Sequence, residues 1–140
     1  MKIVISDTSP IRALSNLGLL TILQQLYGEV IIPHAVAVEL SRPPDGRYVI
    51  GIDDLAEFGN IKVRAAPESP ELERFLVDLD RGESEALALA IELRTDLILI
   101  DELAGRNAAK REGLGVIGVL GVLLDAKHRG FLESVSPLLD

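Results

Sequence analysis

The sequence has no cysteine, no tryptophan, only two histidines, and just three Phe and two Tyr. Without cysteine there are no disulfides and no thiolate ligands, so carboxylates and histidine are the strong metal-ligand types that remain. That usage suits a reducing cytoplasm, the expected location. His34 and His128 lie far apart in the chain, and surface or core roles suit them better than ligation. With so few aromatic rings, the core must be packed by Leu, Ile, Val and Ala, the mixture typical of buried parallel strands flanked by helices. No apolar run approaches the roughly 20 residues needed to cross a bilayer. The opening MKIVISD, with an acid at position 7, is no signal peptide, so no membrane association is expected. Basic residues are in the minority, 14 Lys and Arg against 22 Asp and Glu, for a net charge of −8. This argues against gripping nucleic acid through a broad basic surface. The objection weakens if several carboxylates form one cluster neutralised by divalent cations, because bound ions are often the largest local charges in such a site. A Gly-rich phosphate loop is missing, which leaves NTP hydrolysis unsupported, and there is neither an internal repeat nor a low-complexity segment.

What is present is 140 residues, 48% of them hydrophobic, enough to bury one core, so a single domain over residues 1–140 is expected. Residues 2–6 (KIVIS) read as a buried strand that delivers Asp7 at its carboxyl end. Ser9 and Pro10, a favoured N-cap followed by a favoured first helical residue, open a helix that Gly18 stops. A second amphipathic segment over 19–27 and a strand over 29–32 follow. Pro33 then starts a short helix carrying Glu39, which ends before Pro43 and Pro44. Residues 43–59 are poorly patterned, with a helix over 50–58 as one option. Residues 61–63 suit an edge strand and 71–79 a helix. From Asp80, the run DRGE leads into ALALAIELR, a helix apolar nearly all round and therefore largely buried. LILI at 97–100, bounded by Asp96 and Asp101, reads as a central strand buried on both faces. A helix over 103–112 capped by Gly113, a strand at Val116 and Ile117, and a helix over 119–129 closed by Gly130 complete the chain. Alternating strands and helices predict an α/β fold with a mainly parallel sheet.

Ligands of open parallel sheets bind outside the carboxyl ends of the strands, where Asp7 and Asp101 both fall. The alternative is that either acid only stabilises the turn that follows it. For Asp7 that alternative is weaker, since Ser9 is the better cap and leaves the carboxylate free. Glu39 reads either as a site acid or as a solvated acid on a helix face. Glu83 falls three residues after Asp80, the spacing of a capping box with Asp as N-cap, so a purely structural role competes with a chemical one. Glu85 and Glu92 read as ordinary helix acids, Asp96 as a turn residue, and Glu102 as a neighbour able to assist. Clustered carboxylates are hard oxygen ligands suited to Mg²⁺ or Mn²⁺, the ions of phosphodiester chemistry.

Taken in order, VISDTSPI at 4–11, IIPHAVAVEL at 31–40, DRGESEALALAIEL at 80–93 and LILIDELAGRNAAKREGLGVIGVLGVLL at 97–124 resemble the PIN-domain family, particularly the VapC-like toxins and related small PIN-like proteins. The resemblance implies a three-layer α/β/α sandwich in which Asp7, Glu39, Glu83 and Asp101 converge on one or two Mg²⁺ or Mn²⁺ ions. It matches Ser9 to a position that supports the first acid by hydrogen bonding. It further implies cleavage of single-stranded RNA, homodimerisation, and inhibition by a small antitoxin protein covering the acidic groove. Two departures stand out: Glu83 occupies a place where many relatives have Asp, and relatives carry another helix beyond the point corresponding to Asp140. The leading expectation is a metal-dependent endoribonuclease toxin, with Arg12, Arg106 or Lys110 as cations guiding the RNA backbone. The alternative is a non-catalytic PIN-like module that binds metal weakly and acts by pairing with a partner. A phosphate-accepting receiver-type domain is a third, weaker option, because Ile117 and Gly118 provide neither the lysine nor the hydroxyl it needs.

Overall fold

The structure, a computed structural model, describes residues 2–42, 55–56 and 59–132. In chain order the elements are β1 (Val4–Ser6), α1 (Thr8–Asn16), α2 (Thr21–Tyr27), β2 (Val30–Pro33), α3 (His34–Leu40), β3 (Ile61–Arg64), α4 (Pro70–Leu76), α5 (Arg81–Leu93), β4 (Leu97–Leu99), α6 (Leu103–Arg111), β5 (Val116–Ile117) and α7 (Val119–His128). The strands form one sheet in the order β3-β2-β1-β4-β5. Every pairing is parallel, with Ile5 opposite Ile31, Ser6 opposite Leu99, and Leu99 opposite Ile117.

The strands are short and aliphatic because both faces are covered. Along β1, Val4 joins the core beneath α1, α2, α3 and α7, while Ile5 joins the core beneath α4, α5 and α6. The same alternation runs through Ile98, Leu99 and Ile100, as the two-residue period of a strand requires. The result is the expected three-layer α/β/α sandwich. At its centre lies α5, whose residues 82 to 90 are all buried, so that even Glu83 and Glu85 are enclosed. Arg94 ends that helix in the left-handed conformation, at φ 52°.

Several boundaries differ from the expectation, among them the start of β1 at Val4 and both ends of β2 at Val30 and Pro33. The first helix begins at Thr8, placing Asp7 rather than Ser9 at its N-cap position and leaving Ser9 inside the first turn. The α4 helix starts at Pro70 behind Ser69, whose Oγ accepts from the Leu72 N–H at 3.1 Å, and it stops at Leu76 with Val77 exposed. Residues 43–54 and 57–58 lie outside the described residues, and with them most of the helix considered over 50–58; Leu55 and Ala56 are helical and Leu55 is buried. No described helix is long and apolar enough to cross a membrane.

Candidate active site

Chain order reverses direction between β1 and β4: β2 and β3 extend the sheet to one side and β4 and β5 to the other. At such a switch point the connections after the two central strands leave on opposite faces, opening a crevice at the carboxyl edge. Asp7 follows β1 directly, and its N–H donates to Leu99 O at 2.9 Å, so the ends of β1 and β4 are locked side by side. Asp101 follows two residues after Leu99. Both strand-end acids therefore stand at the crevice.

Asp7 is only 4% exposed, and although it occupies the N-cap position of α1 its side chain makes no capping bond. Glu39 reaches the same place from α3. An ideal Cβ built on Gly82, in the first turn of α5, would lie 2.5 Å from Glu39 Oε1 and 3.4 Å from Asp7 Oδ1, so both carboxylates press against the bare backbone there. Thr8 Oγ1 donates to Glu39 Oε2 at 2.7 Å, and Arg12 Nη2 donates to the Glu39 backbone carbonyl at 2.8 Å. These two bonds from α1 fix Glu39 at both ends. Glu39 is thus no solvated helix-face acid, and Arg12, expected to guide RNA, is committed to holding α3.

At Glu83 the helix cap is made through the backbone. Asp80 does cap α5, its Oδ1 accepting from the Glu83 N–H at 2.8 Å. The Glu83 side chain, however, is buried, with Oε2 seated 2.6 Å from where a Gly105 Cβ would be and without a hydrogen-bond partner. A buried carboxylate oxygen left unsatisfied is costly. Burial pushes the Asp7 carboxyl up to about 7, reinforced by the charges of Asp80, Glu39 and Glu102 against the opposing backbone hydrogen bond at Thr8. Burial likewise pushes Glu83 up to about 8, together with its side-chain contact with Asp80 and the charges of Asp80, Asp7 and Glu102. The ion pairs among the described residues are Arg74–Glu112, Arg81–Glu68 and Arg81–Glu85, none of which neutralises this group.

Asp101 is placed differently. Its Oδ1 accepts from the Val119 N–H at 2.7 Å, tying the end of β4 to the first residue of α7. A Gly118 Cβ would sit 2.6 Å from that oxygen and 2.9 Å from Arg106 Nη1, so Arg106 lies on the Asp101 side of the crevice. Lys110, seven residues along α6 from its start, is about 10 Å farther along the helix axis and exposed. Among the described residues no three His, Asp or Glu side chains gather closely enough to hold an ion as they stand. Both histidines are exposed.

Two other acids have roles different from those expected. Glu85 is buried, accepting from the Ala35 N–H at 3.1 Å and from Arg81 Nε at 2.6 Å, so it clamps the start of α3 to α5. Asp96 accepts from the Ile3 N–H at 2.7 Å and fastens the entry to β1. Sequence reasoning missed Thr8, for which Ser9 was the expected hydroxyl, and it missed the glycines at 82, 105 and 118. A helical glycine spaced one turn or less from a candidate acid is the signal that would have found Gly82.

A family model described as PIN domain matches residues 3–140 of the chain. Among solved structures, the chain is similar to a PilT N-terminus domain protein from the hyperthermophilic archaeon Sulfolobus solfataricus P2, at 24% identity and a TM-score of 0.60 over 90% of this chain and 93% of that one. At that identity the likeness concerns the fold. No curated protein matches the chain. The family match spans nearly the whole sequence and includes all four candidate acids, and on that ground the chain belongs to the PIN domain family.

Proposed function

We propose that the protein is a Mg²⁺- or Mn²⁺-dependent endoribonuclease acting on single-stranded RNA. The observation that carries this reading is the meeting of the Asp7 and Glu39 carboxylates at Gly82, next to a buried Glu83 that feels the charge of Asp7 and keeps one carboxylate oxygen orphaned. The donor set fits a hard divalent ion: all oxygen, no thiolate, and a buried lone pair without a donor. Asp7, Glu39 and Glu83 would hold it, and Asp101, with one oxygen committed to Val119, closes the acidic edge from the β4 side. When bound, such an ion supplies a water acidified toward hydroxide and offsets charge on the scissile phosphate.

The chain's own contribution is placement and exclusion. Thr8 and Arg12 fix Glu39, Asp80 anchors the first turn of α5 beneath Glu83, and Ile100 with the α5 core keeps water from the back of the site. A phosphodiester arriving at this edge meets Arg106 on the Asp101 side and the acids of Asp7, Glu39 and Glu83 on the other, so its approach to those acids depends on the ion. The same uncompensated charge suits inhibition by a small antitoxin that presents Arg or Lys to the crevice, and a toxin role within a homodimer belongs to this reading.

A second reading, a non-catalytic module, draws on the commitment of Asp101 to α7 and on the absence of a ready three-acid cluster among the described residues. Incubating the purified protein with a panel of single-stranded RNAs in Mg²⁺ or Mn²⁺, with an EDTA control, separates the two. Cleavage that requires the ion is expected. Intact RNA across the panel would replace the nuclease with the module.

A further inference from the structure

Gly82 stands at the second position of α5, where the backbone has no need of glycine: its φ is not positive, and glycine is a poor helix former. The reason for it lies in what surrounds it. The three heavy atoms nearest to an added Cβ are Glu39 Oε1 at 2.5 Å, Glu39 Cδ at 3.2 Å and Asp7 Oδ1 at 3.4 Å, every one a carboxylate atom of the site. The space that a methyl group would fill is therefore the space that Glu39 uses to come alongside Asp7.

We propose that Gly82 is a positioning residue for the acidic site, its missing side chain admitting the Glu39 carboxylate beside Asp7. Gly105 and Gly118 repeat the device, with Glu83 Oε2 and Asp101 Oδ1 each 2.6 Å from the corresponding Cβ position. Gly82 is the cleanest of the three. A Gly105 methyl would also meet Ile100 Cγ2 at 2.9 Å, in the core, whereas a Gly82 methyl meets first the far end of one flexible side chain. Alanine at 82 should thus leave the fold intact and move the site. The functional consequence rests on the nuclease reading; the structural one does not.

Crystal structures of the native protein and of Gly82→Ala, with Mn²⁺ titrations of both, test this. Expected are an unchanged α5 backbone, a melting temperature within a few degrees of native as the helix preference of Ala offsets the lost Thr8–Glu39 bond, a Glu39 carboxylate swung away from Asp7, and Mn²⁺ affinity weakened about tenfold or more, the scale of losing a ligand-orienting contact. Adding Glu39→Asp, which shortens the arm by one methylene, should raise Mn²⁺ affinity in the Gly82→Ala background while lowering it in the native one. That reversal of sign is one a merely structural glycine would not produce. A Glu39 carboxylate unmoved in Gly82→Ala, or Mn²⁺ affinity within twofold of native, overturns the proposal. If the native protein itself binds no Mn²⁺, the nuclease reading falls, and the displacement of Glu39 decides the positioning claim by itself.

Discussion

With Asn in place of Asp7, the proposed metal-dependent RNA cleavage should be lost while the protein should become more stable. The activity loss should reach roughly 10²–10³-fold or more, the range for removing one preorganised electrostatic group from an active site. The stability gain comes from the same carboxyl. Asp7 is almost wholly enclosed, faces Asp80, Glu39 and Glu102, and has its pKa raised to about 7, so at pH 8 the native fold carries a buried charge that it disfavours. Asn removes that charge at nearly constant shape. Allowing for an amide donor that needs a partner, the variant should gain about 1–3 kcal/mol at pH 8. Paired melting curves and cleavage rates check both signs. A variant that is inactive because it is unfolded would contradict this account of Asp7.

The second large effect is a stability profile inverted from the usual one for acids. Paired carboxylates ordinarily stabilise a fold above their unfolded pKa. Here burial and like charge raise Asp7 from 3.8 to about 7 and Glu83 from 4.5 to about 8. Between those limits the folded chain binds more protons than the unfolded chain, so raising the pH favours unfolding. In the metal-free protein, stability should be greatest near the acidic end of this window and fall toward pH 8, with a slope on the order of 1 kcal/mol per pH unit. Millimolar Mn²⁺ or Mg²⁺ should restore the loss at pH 8, because an ion that binds only the folded state stabilises it by mass action. The fall should shrink in Asp7→Asn. Metal-free melting temperatures that stay flat or rise from pH 5 to pH 8 would remove the electrostatic basis of the site.

The fold was largely legible because its signals are strong and local. Aliphatic runs ending in Asp at 7 and 101 marked buried parallel strands, and the run from Ala86 to Ala90 marked a helix enclosed on all sides. Boundaries were less visible. Ser9-Pro10 is a good cap on local grounds and puts the start of the first helix two residues late, while the parallel register of β1 against β4 fixes where the strand must end. The candidate acids were legible as chemistry and not as partners. Nothing local separates Glu83, aimed at the crevice, from Glu85 two residues later, which is equally buried but satisfied by Ala35 and Arg81. The difference is set by the approach of α3, fifty residues away in sequence. Asp80 was read as a cap that competed with chemistry at Glu83, and the structure shows the cap and the buried carboxylate side by side. Glycine at 82, next to Glu83, is visible as an odd residue inside a helix, but what it accommodates is set by the Glu39 side chain from α3.

If these acids form the proposed divalent-ion site, they are held partly protonated until the ion arrives. Calorimetric titration of the native protein with Mn²⁺ at pH 7, repeated in two buffers of different ionisation enthalpy, measures affinity and proton release together. Saturable binding that releases protons and is abolished in Asp7→Asn is expected. Binding without proton release, or binding that survives Asp7→Asn unchanged, would contradict it.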